Sequence, residues 1–224
     1  VSFEMQPGAS VALCGPTGAG KSTLVSLLMR FYEPQRGRIL LDGVPIQNYD
    51  RHELRARLGI VQQDVFLFSG TVGENISLWD SRVGSSDEKR ATLGVSLPFD
   101  MKLAERGANL SMGERQYLAF LRTLVRAPDI WLVDEATSYL DPTLDKLLMD
   151  ELRQVAKDKT RITIAHRLAS ITDSHLIVVL DQGEVVERGT HVELMQKNGL
   201  YARMYGLQIS KPQQPAAGLL AQCE

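Results

Sequence analysis

The sequence has few cysteines, a small net charge and no long apolar run. Its two cysteines are Cys14, inside an apolar stretch, and Cys223, next to the C-terminus, so we expect no disulfide framework and a reducing compartment. No stretch approaches the roughly 20 apolar residues that cross a bilayer. The net charge of −2 over 224 residues leaves no basic footprint, which argues against a nucleic-acid partner.

One glycine-rich stretch stands out against this ordinary composition. It has the form G-x-x-x-x-G-K-S and, with the threonine after it, comprises Gly15, Pro16, Thr17, Gly18, Ala19, Gly20, Lys21, Ser22 and Thr23. An apolar strand, Ser10–Cys14, is predicted before it, and a helix, Thr23–Arg30, after it. Glycines in this context let backbone N–H groups surround a phosphate, and the helix N-terminus adds positive potential. The pattern predicts that Lys21 reaches the β- and γ-phosphates of a nucleotide and that the Ser22 hydroxyl binds Mg²⁺.

Apolar strands alternate with helical segments over most of the chain, which predicts an α/β fold with a mostly parallel sheet flanked by helices. The predicted strands lie at 1–5, 10–14, 38–43, 58–61, 129–133, 160–165, 176–180 and 185–189. Further helices are predicted at 50–55, with Asp50 as the cap, at 145–157 and within 191–208. Helical patterns without strand signals between 65 and 126 indicate an inserted α-helical subdomain. The chain therefore divides into a first core part at 1–63, the helical subdomain at 64–128, a second core part at 129–208, and a tail at 209–224 that we expect to be disordered.

Two other patterns carry chemistry. An apolar strand runs into Asp134 and Glu135, where the first carboxylate is placed to hold Mg²⁺ and the second to polarise an attacking water. The plain alternative is a pair of solvated carboxylates at a strand end. Ser111 and Glu114 open a helix with the spacing of a simple capping box. Because that helix leads directly into the strand that ends at Asp134, the sequence favours a role beyond capping.

Together these motifs resemble the nucleotide-binding domain of ABC transporters, over about Val1 to Gln208. The resemblance is closest to the exporter type, in which transmembrane and ATPase domains share one polypeptide. The signature and the ending Met204–Gln208 are similar to bacterial subunits of heterodimeric multidrug exporters. The resemblance implies a P-loop NTPase core with an ABC-type antiparallel β edge, ATP and Mg²⁺ as cofactors, and a position on the cytoplasmic face of a membrane, the inner membrane of a bacterium.

The resemblance also assigns roles to single residues. Walker A is Gly15–Ser22, Asp134 ends Walker B as a metal ligand, and Glu135 is the catalytic base. Gln63 would bind Mg²⁺ and sense the γ-phosphate, and His166, with Lys21, would act on the transition state. The X-loop is Glu105–Gly107 and the D-loop ends at Asp141. The signature, which faces the nucleotide of a second chain, consists of Leu110, Ser111, Met112, Gly113 and Glu114.

The sequence departs from the family pattern at several positions. Met112 and Glu114 stand where the signature usually has Gly and Gln, and Tyr139 stands where the D-loop usually has Ala. The insert between Asp80 and Glu105 is shorter than is common. The aromatic residue that stacks on adenine in the family precedes the strand that Val1 begins, so the adenine contact is not assigned.

The implied partners are a second nucleotide-binding domain, identical or a paralogue, and a transmembrane domain, expected N-terminal in the same polypeptide. ATP would drive export by binding between two such domains. Two alternatives stay open from the sequence: a degenerate cassette that binds ATP with little hydrolysis, and a soluble ABC ATPase of DNA repair or translation. The transported substrate is not encoded in this chain.

Overall fold

The computed structural model describes residues 1–62, 65–78, 97–134, 154–155, 157–165 and 167–210. In these ranges the strands are β1 Ser10–Cys14, β2 Leu40–Leu41, β3 Val44–Pro45, β4 Leu58–Val61, β5 Gly70–Thr71, β6 Lys102–Leu103, β7 Ile130–Asp134, β8 Thr160–Ile164, β9 Leu176–Asp181 and β10 Glu184–Gly189. The α-helices in the same ranges are α1 Lys21–Leu28, α2 Arg51–Arg57, α3 Val72–Ser77, α4 Met112–Leu124, α5 His191–Lys197 and α6 Leu200–Ser210.

The centre of the fold is a six-stranded sheet with the order β10-β9-β1-β8-β7-β4. Five strands are parallel, and β10 pairs with β9 as an antiparallel edge, with a register shift between Val185 and Glu187. Buried parallel strands carry continuous apolar runs, and β1 is buried at every residue. The predicted α/β class with a mostly parallel sheet and an antiparallel edge is therefore confirmed.

Helices cover both faces of the sheet, and three apolar clusters form the core. One cluster joins α3 and α4 to the sheet, where Phe120 packs on Trp131 with ring centroids 6.1 Å apart. A second cluster packs α1 and α2 on β1, β8 and β9. The third packs α5 and α6 on the opposite face, where Tyr201 is fully buried beside Ala12 and Cys14 of β1. The strand that leads into the glycine-rich loop is thus held from both sides.

Helix starts follow the capping rules that the sequence suggested. The Asp50 carboxylate accepts from the N–H groups of His52 and Glu53, which confirms the predicted cap of α2. Reciprocal capping boxes open α3, α4 and α5. No helix of the described residues is both long and apolar enough to cross a membrane.

Two sequence predictions are wrong. Val1–Met5 forms no strand: Phe3 and Met5 alternate in burial with exposed neighbours, but this segment pairs with no strand in the described part of the chain. Short strands do occur between 65 and 126, since β5 pairs antiparallel with β6. The helix predicted at 145–157 and the tail predicted at 209–224 lie almost entirely outside the described residues, but Ile209 and Ser210, assigned to the tail, belong to α6.

Candidate nucleotide-binding site

The glycine-rich loop follows β1 directly and turns into α1. Gly15, Gly18 and Gly20 have φ angles of 145°, 82° and 98°, in the region that favours glycine. The loop closes on itself where Ala19 N–H donates to the Pro16 carbonyl at 3.2 Å, and it is tied to the β9–β10 turn where Gly183 N–H donates to the Ala19 carbonyl at 3.2 Å. The loop is therefore a shaped concavity at the end of a buried strand.

Lys21 lies inside this concavity. Its side chain is buried, and Nζ donates to the carbonyl oxygens of Gly15 at 2.8 Å and Pro16 at 2.9 Å. The first turn of α1 contains no acidic residue, so nothing there offsets the positive end of the helix dipole. A buried ammonium group beside a helix N-terminus fits a phosphate group, as the sequence predicted for this loop.

Gly15 leaves no room for a side chain. A Cβ built on Gly15 would lie 2.0 Å from the carbonyl oxygen of Leu180 at the end of β9. At Gly18, by contrast, a Cβ would meet nothing within 4 Å. Gly15, the first glycine of the motif, is needed for close packing of the loop on β9, whereas Gly18, at a variable position of the motif, has open space in front of it.

The register of the sheet brings Asp134 to the same level as the loop. Asp134 pairs with Ile164 of β8, and Ile164 pairs with Leu13 of β1, two residues before Gly15. Neighbouring strands lie about 4.8 Å apart, so Asp134 is about 10 Å from β1 across the edge of the sheet. Ser22 is exposed at the start of α1, and its hydroxyl and this carboxylate are oxygen donors of the kind that Mg²⁺ prefers.

Several predicted site residues lie outside the described residues, namely Gln63, Glu135, Asp141 and His166. Their positions along the chain are still informative. Glu135 directly follows Asp134, and position 166 comes two residues after Ile164, the last residue of β8. Because β8 lies between β1 and β7 in the sheet, its last residue, Ile164, lies between the strand that precedes the loop and the strand that ends at Asp134.

The signature stretch opens α4, where Ser111 is the N-cap. Ser111 N–H and Oγ both donate to Glu114 Oε2 at 2.8 Å, and Glu114 N–H donates to Ser111 Oγ at 3.2 Å. Within the described chain, every hydrogen bond of these two side chains is local. Leu110 is buried in the core of the helical unit, and Met112 is 45% exposed. The simple capping box is thus present, and Met112 projects from it.

A thiol also lies close to the loop. Cys14 is fully buried at the end of β1, and burial raises its pKa to about 12, although Lys21 acts in the opposite direction. A neutral buried thiol is unreactive. Cys14 is a free cysteine in the described part of the chain, and Cys223 lies outside it.

The sequence analysis missed a groove next to the junction of β4 with the helical unit. This cavity of about 460 Å³ is lined by Phe31, Phe66 and Phe68, which are 53%, 57% and 43% exposed. The Arg122 guanidinium, held by the carbonyls of Phe66 and Asn75, lies 5.8 Å from the Phe68 ring centroid. Burial and the nearby Arg126 lower the pKa of Arg122 to about 10. The available signal was the pair of aromatics alternating with Val65 and Leu67.

Comparison with known proteins agrees with this geometry. Residues 1–138 match the family described as ABC transporter. The chain is 44% identical over 220 residues to an ATM1-type heavy metal exporter of Novosphingobium aromaticivorans, covering 94% of this chain and 36% of that protein. It is 45% identical to the probable multidrug resistance ABC transporter ATP-binding/permease protein YheH of Bacillus subtilis, covering 93% and 32%.

A third relative is the ATP-dependent lipid A-core flippase of Xanthomonas oryzae pv. oryzae, 40% identical over 95% of this chain and 38% of that protein. Among solved structures, a bacterial Atm1-family ABC exporter with ATP bound matches with a TM-score of 0.89 and 44% identity. That match covers 96% of this chain and 39% of the exporter chain. The chain thus spans about a third to two fifths of the length of the relatives that it matches.

Proposed function

The chain belongs to the ABC transporter family, and from that membership we propose that it is the ATP-hydrolysing motor of an exporter. In this proposal two such domains close around ATP, and the closure drives export of a substrate across a membrane. The observation that carries the proposal is the site at the loop: a buried Lys21 ammonium at the start of α1, with the carboxylate of Asp134 level with the end of β1.

The residues of the loop have distinct roles in this proposal. The loop N–H groups and Lys21 hold the phosphates, and Lys21 balances the charge that develops on the oxygens of the transferred group. Ser22, Asp134 and the predicted Gln63 would hold Mg²⁺, which supplies charge neutralisation when bound. Glu135 would take the proton of the attacking water, and His166 would bind the γ-phosphate from the β8 side.

A second nucleotide-binding domain is required because one chain does not complete the site. In the described residues, Ser111 and Glu114 make hydrogen bonds only within their own capping box and with Arg115, and the exposed Met112 faces outward. An exposed signature whose side chains hydrogen-bond only locally is suited to contact a nucleotide held by another chain. We therefore infer a dimer in which each loop faces the signature of the partner.

We place the contact with the membrane-spanning part of the full-length protein at the groove. Its exposed phenylalanines offer an apolar surface, and Arg55, Arg122 and Arg126 line it, with no acidic side chain among the described lining residues. An apolar helix that carries acidic side chains is complementary to such a surface. The relative from Bacillus subtilis is named an ATP-binding/permease protein, which supports a segment of the same polypeptide as the occupant.

Cysteine labelling of the full-length protein tests this contact. Phe66→Cys should react with a maleimide several-fold more slowly than Val192→Cys, since both residues are more than half exposed in this chain but only the first lies in the groove. Equal labelling of the two cysteines would contradict docking in the groove.

The central experiment replaces Glu135 by Gln in the full-length protein. ATP binding should persist, because Lys21, Ser22 and Asp134 are unchanged, while hydrolysis should fall by about 10²–10⁴, the usual contribution of a general base. Glu184→Gln, at an exposed position at the start of β10, is the matched control and should hydrolyse ATP normally. ATP turnover by Glu135→Gln at the unsubstituted rate would refute the role of Glu135, and a parent protein without turnover would favour the degenerate cassette.

A further inference from the structure

Helix α6 connects the ATP site to the C-terminal part of the chain. Leu168 N–H, in the turn Leu168–Ile171 that follows β8, donates to Gln208 Oε1 at 2.8 Å. This hydrogen bond joins residues that are 40 positions apart in the sequence. The turn therefore depends on a side chain from α6 for one of its backbone hydrogen bonds.

The other end of α6 is fixed firmly. The Glu187 carboxylate of β10 accepts from the N–H groups of Leu200 and Tyr201, the first two residues of the helix. The Tyr201 hydroxyl lies 2.8 Å from Nδ1 of His191 in α5. Because Tyr201 is fully buried against β1, the helix cannot shift at its start without disturbing the strand that leads into the loop.

Gln208 is exposed, but it lies on the same side of α6 as two residues that pack on the core. Tyr201, Met204 and Gln208 are spaced at i, i+3 and i+7, so they lie on one side of the helix. Met204 packs in the same apolar cluster as Leu168 and Ile171. Gln208 thus extends the anchored face of α6 as far as the turn after β8.

A small cavity marks where these elements meet the glycine-rich loop. It has a volume of about 280 Å³, and it is lined from three sides: by Gly15, Pro16 and Thr17 of the loop, by Ala165 and Leu168 after β8, and by Met204, Leu207 and Gln208 of α6. Ala165 N–H in turn donates to the carbonyl of Leu13 in β1 at 3.0 Å. Ala165 is therefore tied to β1, and Leu168 is tied to α6.

We infer that Gln208 is a positioning residue for ATP hydrolysis, acting through its hydrogen bond to Leu168. Position 166, to which the proposed function assigns contact with the γ-phosphate, comes two residues before Leu168 in the sequence, so the inference rests on that function. The hydrogen bonds of the phosphate cradle are made by Lys21 and by the glycine-rich loop at the start of α1. Loss of the contact should therefore slow turnover and leave nucleotide binding intact.

The experiment compares Gln208→Met, which keeps the length of the side chain without its amide, with Gln208→Glu, which keeps an acceptor oxygen in the same place. In the full-length protein, Gln208→Met should lower kcat about 2- to 10-fold, the factor that one net hydrogen bond represents, with KM for ATP unchanged and the melting temperature lowered by no more than about 4 °C. Gln208→Glu should restore most of kcat. Gln196→Met is the matched control, at an exposed glutamine of α5 whose side chain makes no hydrogen bond in the described residues.

Hydrogen exchange gives a second readout that does not depend on turnover. The Leu168 amide should exchange faster in Gln208→Met than in the parent protein or in Gln208→Glu. An unchanged kcat, an equal loss in both variants, or a loss that tracks KM or the melting temperature would overturn the inference. Failure of the proposed function would look different, since the parent protein itself would then hydrolyse no ATP.

Discussion

Replacing Gly15 by Ala tests how closely the glycine-rich loop is packed on the sheet. The new Cβ would lie 2.0 Å from the Leu180 carbonyl oxygen, where real contacts stay beyond 3.0 Å, so the loop or the end of β9 must move by at least about 1 Å. The backbone φ of +145° is also one that alanine rarely adopts. Overpacking adds about 1–3 kcal/mol and backbone strain about 1–3 kcal/mol, which predicts that Gly15→Ala lowers the free energy of unfolding by about 2–6 kcal/mol.

Gly18→Ala is the matched control, because its Cβ would meet nothing within 4 Å and only the φ of +82° opposes the change. We expect a loss of about 1 kcal/mol there. Urea denaturation of both variants measures the difference, and ATP affinity should fall more for Gly15→Ala, since the Gly15 carbonyl also accepts from Lys21 Nζ. If the two variants lose equal stability, the close approach of Gly15 to Leu180 does not matter in the folded protein.

Three further predictions concern other parts of the chain. Cys14 should resist alkylation at pH 8 in the folded protein, because burial raises its pKa to about 12. The measurement is the rate at which the tryptic peptide containing Cys14 becomes alkylated, and equal rates in the folded and the denatured protein would contradict the prediction. Asp129→Asn should lower the free energy of unfolding by less than about 1 kcal/mol at pH 7, because Arg57 and Lys159 hold the pKa of this half-exposed carboxyl low. The difference from the parent protein should vanish as the pH falls through that lowered pKa. Urea midpoints of the two proteins between pH 2 and 7 measure this difference. Glu114→Gln keeps an acceptor oxygen for the cap of α4 but removes a negative charge from the signature. Introduced into the Glu135→Gln protein, it should therefore strengthen ATP-dependent dimerisation, measured by gel filtration. Weaker association would argue against a dimer in which each loop faces the signature of the partner.

The sequence predicted correctly those strands, caps and loops that are determined by residues close to one another in the chain. The bounds of β1 and β4 agree with the sequence prediction residue by residue, because both are apolar runs between strong turn signals. The Asp50 cap and the glycine-rich loop are equally local. The alternation of apolar and polar residues at Val1–Met5 identified which side chains are partly buried, but it could not show whether the segment pairs with another strand. The strands β5 and β6 have two residues each, too few for an alternation of apolar and polar residues to be recognised.

The parts of the site that escaped prediction depend on contacts between distant segments. The level of Asp134 relative to the loop follows from sheet register, and the exposure of Phe66 depends on how α2 and α4 pack on either side. Gln208 carries no motif at all, and only the packing of α6 shows its contact with Leu168. The roles of Glu135 and His166 stay predictions that rest on the family resemblance and on their places after β7 and β8.

The strand order has a consequence for how the protein is made. β1 is near the N-terminus, yet its two neighbours are β8 and β9, and Gly8 N–H bonds to Thr160, 152 residues further along. Such a high contact order slows folding, and the phosphate loop has no supporting sheet until the last third of the domain has left the ribosome. During that interval the apolar β1 segment has no partner and is exposed to aggregation. We therefore expect nascent chains that stop before β8 to bind no nucleotide and to depend on chaperones.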